Sequence, residues 1–165
     1  MSKTYYIFRH GETFATRKKR WYWHKLYSAT ILEEGKPSVL RLADYLKKIA
    51  TDYNVSSPFL RCRQTAEIVS TITGKEFEFD ARIGEHTFEL TWTYKNRVLS
   101  FTNEMENSDK QNILICTHGV IIQMLMRHFV KDGITLREHL AAPLPGVLTI
   151  IKDGKLKEID FNKQS

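Results

Sequence analysis

Hydrophobic and polar positions along the chain switch between two periods, and the switches mark its elements. Lys3 to Phe8 is a short β-rich run that stops at the polar His10-Gly11-Glu12, which predicts a strand. Residues 13–34 carry no clear period and predict a long loop. From Lys36 to Ala50, Val39, Leu40, Leu42, Ala43, Leu46 and Ile49 recur at helical spacing, with Pro37 at a permitted first-turn position. Tyr53 to Ser56 is extended and stops at Ser57-Pro58. Helical spacing returns from Leu60 through Ile72, with Gly74 placed as a C-cap. Phe77 to Phe79 is again extended, and Arg97 to Met105 puts Val98, Phe101 and Met105 on one helical face. Asn112 to Cys116 is a continuous apolar run, as in a strand covered on both faces. Val120 to Val130 is apolar nearly all round and predicts a buried helix. Val147 to Ile151 and Leu156 to Phe161 flank Asp153-Gly154, a strong hairpin signal.

Strands alternating with helices predict an α/β protein, a three-layer α/β/α sandwich around a mostly parallel central sheet. No repeat or linker interrupts the pattern, so a single domain over residues 1–165 is expected. The longest apolar run, Asn112 to Met126, is broken by Thr117, His118, Gly119 and Gln123 and does not suit a bilayer span. The apolar stretch before Arg9 is too short for a signal peptide. Cys62 and Cys116 make a poor disulfide framework and lack metal-ligand spacing. Reduced thiols in a cytoplasmic protein are the expectation, with Cys116 a small core residue.

Charge changes this picture by its position. The net charge is +6, and residues 1–36 carry eight basic against three acidic side chains, +5 of that excess. An anionic substrate, a nucleic acid or an acidic membrane surface would each suit such a bias. Candidate chemistry narrows the choice. Phe8-Arg9-His10-Gly11-Glu12-Thr13, Ser56-Ser57-Pro58-Phe59-Leu60-Arg61 and Cys116-Thr117-His118-Gly119 share one arrangement. In each, a strand ends and Arg or His follows beside Gly, Ser or Pro. Ligands in open α/β sheets bind outside the carboxyl ends of strands, and helix N-termini there favour anions. Two arginines and two histidines at such positions describe a phosphate pocket, because the guanidinium fork matches phosphate oxygens. A neutral imidazole beside cations is a competent nucleophile toward phosphorus. A leaving alkoxide then needs a proton, and Glu85 in Arg82-Ile83-Gly84-Glu85-His86 is the acid best placed to give it.

Together these residues resemble a known family. Arg9-His10-Gly11-Glu12-Thr13 resembles the Arg-His-Gly-Glu-Thr signature of the histidine phosphatase superfamily, the phosphoglycerate-mutase-like proteins. Ser57 to Ala66 resembles its second block, Ser-Pro-Leu-x-Arg-Ala-x-Gln-Thr-Ala, departing at Phe59 and Cys62. Thr117-His118-Gly119 resembles the third. The resemblance implies a phosphoglycerate-mutase-like fold and a phosphatase that needs no metal or cofactor. It implies His10 as the nucleophile that becomes phosphohistidine, and Arg9, Arg61 and His118 as the rest of the pocket. Gly11 and Thr13 would support phosphate binding in the first loop, and Glu85 would be the proton donor.

Departures qualify the substrate. Family members usually carry a longer stretch and a helical lid after the proton donor, whereas Glu85-His86-Thr87-Phe88-Glu89 runs almost directly into the next helix. That resembles the compact branch with protein phosphohistidine phosphatases and predicts an open, shallow site. Glu89 is then the rival for the role of Glu85. The Asn usual soon after the first motif is absent, replaced by Phe14-Ala15-Thr16. The expected partner is a phosphorylated small molecule or a phosphoprotein, without nucleic acid or membrane. A phosphoglycerate-type mutase and a non-catalytic phospholigand or nucleic-acid binder on the same fold are the alternatives. His24, His86, His128 and His139 have no supporting context, though His86 adjoins Glu85. Arg17 to Lys25, Arg-Lys-Lys-Arg-Trp-Tyr-Trp-His-Lys, is expected as a solvated loop whose aromatics fold back onto the domain. A rim recruiting anionic substrate and a stacking surface for single-stranded nucleic acid are its sharper readings.

Overall fold

A computed structural model of the chain describes residues 2–130 and 141–163; His139 lies outside them. Strands β1 (Thr4–Arg9), β2 (Tyr53–Ser56), β3 (Glu78–Phe79), β4 (Asn112–Thr117), β5 (Val147–Lys152) and β6 (Lys155–Asp160) form one sheet in the order β3-β2-β4-β1-β5-β6. The pairings β1–β4, β2–β4 and β2–β3 are parallel, and β5 runs antiparallel to both β1 and β6. Five strands therefore point one way and β5 alone opposes them. The turn between β5 and β6 holds Asp153 at φ 52° and Gly154 at φ 77°, the two positive values that a two-residue hairpin with right-handed twist requires.

Successive side chains of a strand face opposite sides of the sheet, and each side meets its own helices. Helices α2 (Lys36–Leu46) and α3 (Leu60–Thr73) cover one face, and α4 (Thr91–Asn107) and α5 (Gly119–Phe129) the other. Tyr5 and Ile7 of β1 with Ile113 and Ile115 of β4 pack against Val98, Phe101, Ile121, Leu125 and Phe129. Phe8, Leu114 and Cys116 alternate with them and pack against Val39, Leu42, Leu46 and Val69. The continuous apolar run of β4 thus splits cleanly between two cores. Among the described residues no helix is long and apolar enough to cross a membrane.

Several element bounds differ from expectation. The unpatterned stretch 13–34 contains α1 (Phe14–Lys18), and 3-10 turns at Trp23–Lys25 and Glu33–Gly35. Thr13 caps α1: its hydroxyl accepts from the Thr16 amide, and the Thr16 hydroxyl closes the reciprocal bond to the Thr13 amide. A five-residue helix has too few positions to display a period, so capping rather than amphipathicity makes it. The helix expected over 97–105 begins at Thr91, because buried Tyr94 extends the face of Val98, Phe101 and Met105 upstream. The one expected to reach Ala50 ends at Leu46.

Burial sets the energetics of these helices residue by residue. Leu46 is fully buried in the α2–α3 core, whereas Leu40 on the same helix is 43% exposed. Leu46→Ala is expected to cost about 2–5 kcal/mol, and Leu40→Ala less than about 0.5 kcal/mol. Urea unfolding midpoints at unchanged m-value measure both.

Candidate active site

The register of three parallel strands brings the motif residues together. Arg9 at the end of β1 lies opposite Thr117 at the end of β4. The next residues, His10 and His118, are therefore neighbours: the His10 amide donates to the Thr117 carbonyl at 3.0 Å, and the two rings lie 5.3 Å apart. On the other side of β4, Ser56 lies opposite Cys116, and the Ser57 amide donates to the Cys116 carbonyl at 3.0 Å. From β3, residues 80–83 turn back, and the Thr117 hydroxyl donates to the Ile83 carbonyl at 2.6 Å. That bond carries the chain to Glu85 at the same edge.

His10 is fully buried, and its Nδ1 lies 2.8 Å from the Gly11 carbonyl oxygen. A carbonyl only accepts, so Nδ1 carries the proton and Nε2 keeps its lone pair. Among the described residues, Nε2 has no hydrogen-bond partner, and neither have Nε of Arg9 and Nε of Arg61. Burial first, then the Arg61 and Arg9 guanidiniums, hold the His10 imidazole well below its ordinary pKa, and hence neutral.

Arg61 is fully buried in the first turn of α3. Its Nη1 donates to the Leu26 carbonyl at 2.5 Å, and its guanidinium lies 4.0 Å from the centre of the Tyr22 ring. Its Nη2 lies 3.2 Å from His118 Nδ1. Since arginine only donates, His118 accepts at Nδ1, and its Nε2–H donates to the Ser57 hydroxyl at 2.8 Å. His118 is likewise held well below its ordinary pKa by burial and then by Arg61. It is a neutral imidazole in this structure. The Cys62 sulfur stands 3.6 Å from His118 Nε2; both cysteines are buried free thiols.

Gly119, the first residue of α5, makes room for Arg9. A Cβ there would stand 3.0 Å from the Arg9 guanidinium carbon and 2.8 Å from the Ala142 Cβ. The close approach lets Arg9 reach the Pro143 carbonyl, at 3.3 Å, across the start of the helix. Burial is the leading influence on Arg9 and lowers its pKa.

The Glu85 carboxylate lies 3.6 Å from Arg61 Nη2 and 3.5 Å from His118 Nδ1. Burial raises its pKa against the opposing pull of Arg61 and Arg9. Glu89 is placed differently: Arg97 grips both its oxygens, with a shortest contact of 2.6 Å, and holds its pKa down. The structure brings Glu85 and not Glu89 to the histidines. Arg97 also donates to the carbonyls of Arg82, Gly84 and Glu85 at 2.6, 3.0 and 3.1 Å, pinning the segment that carries Glu85.

Gly11 and Thr13 spend polar groups on bonds within the protein. The Gly11 amide donates to the Thr65 hydroxyl at 2.8 Å, and the Thr13 hydroxyl bonds Thr16 and the Tyr22 hydroxyl. The open, shallow site expected from the short segment after Glu85 is not what the structure shows. His10, Arg61 and His118 expose nothing and Glu85 exposes 15% of its side chain. Tyr22 and Leu26 lie over Arg61, while Tyr27 packs on Phe59, so residues 22–27 supply cover that the missing lid would have given.

Only part of the basic aromatic stretch folds back. Tyr22 does, but Trp21 and Trp23 are 80% and 75% exposed. Arg17 pairs with Glu12 and Glu34 at 2.6 and 3.3 Å. Tyr22, Ser57, Thr65 and Arg97 were not singled out from the sequence as site residues. Of these, Ser57 and Thr65 lie within the second block, Ser57 to Ala66, whereas Tyr22 and Arg97 lie outside all three motifs. His24 is exposed, and His128 bonds Glu106, away from the pocket.

Comparison with known proteins agrees with this geometry. The family model of the histidine phosphatase superfamily, branch 1, matches residues 5–95. Probable phosphoglycerate mutases of Escherichia coli and Shigella boydii strains are 28% identical over 106 residues, 64% of this chain and 47% of theirs. The chain thus spans about half the length of these curated relatives. Among solved structures, a phosphoglycerate mutase from Bacillus anthracis superposes with a TM-score of 0.76 at 17% identity, covering 98% of this chain and 94% of that one. A putative alpha-ribazole-5'-phosphate phosphatase from Escherichia coli gives 0.73 at 18%, covering 96% of each chain. A mycobacterial glucosyl-3-phosphoglycerate phosphatase in complex with VO3 gives 0.73 at 16%, covering 98% of this chain and 100% of that one. At these identities the superpositions speak to fold. With more than half of its length matched by the family model, and the motif residues gathered at one sheet edge, the chain belongs to the histidine phosphatase superfamily.

Proposed function

We propose that the chain is a phosphatase that hydrolyses a phosphate monoester or phosphoramidate through a phosphohistidine on His10, without a metal. The observation that carries this reading is the unpartnered, buried Nε2 of His10 between two guanidiniums whose Nε groups are also unpartnered. The neutral imidazole is oriented by its bond to the Gly11 carbonyl, which fixes the nucleophilic nitrogen before substrate arrives. Arg9 and Arg61 meet the phosphoryl oxygens, whose charge replaces what the buried arginines lack.

The Nε2 lone pair attacks phosphorus while the bond to the leaving oxygen breaks. Glu85, whose pKa burial raises, gives a proton to that oxygen. The resulting carboxylate takes a proton from water as water attacks the phosphohistidine, and the P–N bond breaks to return neutral His10 and protonated Glu85. His118 meets the phosphate through Nδ1, which requires it to take up a proton as the dianion enters. The anion supplies the stabilisation that makes this uptake favourable. Gly11, Thr13, Thr65 and Ser57 hold the loops, and Arg97 positions Glu85. The phosphatases among the fold neighbours are consistent with this reading.

With p-nitrophenyl phosphate in EDTA, the wild type is expected to turn over and His10→Ala to lose roughly 10^3-fold or more. Equal turnover by the two proteins excludes His10 as nucleophile. Glu85→Gln is expected to lower kcat/KM roughly 10^2-fold or more for an alkyl phosphate, and far less for p-nitrophenyl phosphate, whose leaving group needs little acid help.

The pH dependence follows from the two shifts. His10, lowered, becomes protonated and inactive only below its ordinary 6.5. Glu85, raised, keeps its proton above its ordinary 4.5. Activity should rise with pH through the lowered imidazole pKa and fall through the raised carboxyl pKa. Glu85→Gln should abolish the alkaline fall and leave the acid limb in place, as kcat/KM profiles on one substrate would show.

A further inference from the structure

A groove of about 510 Å³ lies between α4 and α5, and its position relative to the phosphate pocket is set by the chain itself. Tyr94 and Leu99 of α4 face Val120 and Met124 of α5, with His86 also in the wall. His86 directly follows Glu85, and Val120 is two residues beyond His118. Along the chain, two residues of the groove wall thus stand one and two positions from Glu85 and His118.

Two further observations mark it as a binding site. Leu99 and Val120 are 45% and 46% exposed, so apolar surface on the two facing helices is left in water. Tyr94 is buried, yet its hydroxyl has no hydrogen-bond partner among the described residues. Buried hydroxyls in folded proteins are almost always paired, and one left over beside a groove points to a ligand atom that completes the set. Its ring packs on His86 at 4.7 Å, which places it between the groove and the Glu85 segment.

We propose that this groove binds the apolar part of the substrate's leaving group, so that the preferred substrates are amphipathic phosphate monoesters with an alkyl or acyl chain joined to phosphate through oxygen. The inference rests on the phosphatase reading above and specifies its substrate class. The phosphoryl group enters between Arg9, His10 and Arg61, the bridging oxygen faces Glu85, and the chain runs along Leu99, Val120 and Met124.

Hydrolysis of n-alkyl phosphates from ethyl to decyl, below their micellar concentrations, tests it. Expected is a rise in kcat/KM of about twofold to fourfold per added methylene through the middle of the series. The double substitution Leu99→Asp with Val120→Asp, at exposed positions that spare the core, should flatten the series and leave ethyl phosphate unchanged. A flat wild-type series, or an unaltered slope in the double variant, overturns the proposal. A change of oligomeric state in the double variant with the slope intact would assign the groove to contact between copies instead. Binding of decylphosphonate and ethylphosphonate, measured by calorimetry, gives a readout free of turnover. The longer ligand should bind about 30-fold or more tightly and lose that advantage in the double variant; equal affinities overturn the groove. Decylphosphonate bound through the groove, without hydrolysis of any ester, would refute the phosphatase reading and leave the groove standing.

Discussion

The parallel pairing of β1 and β4, in phase at their carboxyl ends, is the constraint on which the site depends. Arg9 opposite Thr117 makes His10 and His118 consecutive across the sheet rather than along the chain. A shift of one residue in that register would turn every side chain of β1 to the opposite core and draw the histidines apart. The register is held because β4 is apolar on both faces, with Ile113 and Ile115 in one core and Leu114 and Cys116 in the other. Two separate packing problems are solved by a single alignment, and the catalytic geometry inherits its precision from them.

Desolvation then determines the chemistry. Two guanidiniums and two imidazoles in one buried space would repel if all were charged. Burial instead leaves both histidines neutral and concentrates the positive charge on the arginines, which cannot release it. Arg61 is supported by the Leu26 carbonyl and the Tyr22 ring face rather than by a close carboxylate; Glu85 stands off at 3.6 Å. A tight ion pair would have neutralised the pocket before any phosphate arrived. The same burial that lowers the pKa of the histidines raises that of Glu85, so one physical effect acts on imidazole and carboxyl with opposite signs.

Much of this was legible in the sequence wherever the signal was local. The strand of residues 4–9, the helix ending at Gly74, the doubly buried β4 and the Asp153-Gly154 hairpin follow from periodicity and turn chemistry within a few residues. The order of the three motifs announced the pocket. What could not be read depends on contacts across the fold. α1 is too short to show a period, and Tyr22 matters only because residues 22–27 return over Arg61. Arg97 marked only the start of a helical stretch in the sequence, and its bonds to the carbonyls of Arg82, Gly84 and Glu85 depend on the fold. Glu85 and Glu89, four residues apart, are likewise separated by the fold: Arg97 pairs with Glu89, while Glu85 lies beside Arg61 and His118.

The bonds that hold the pocket join residues far apart in the chain. Gly11 to Thr65 spans 54 positions, Arg61 to His118 57, Ser57 to His118 61, and Arg9 to Pro143 134. Contacts of such range form late, after the entropy of closing large loops has been overcome. Arg9 and Gly11 flank His10 in the chain, but Arg61 and His118 reach it only from far along the sequence. The buried, unpartnered imidazole of His10 is therefore a property of the completed fold and not of the Arg9-His10-Gly11 segment alone.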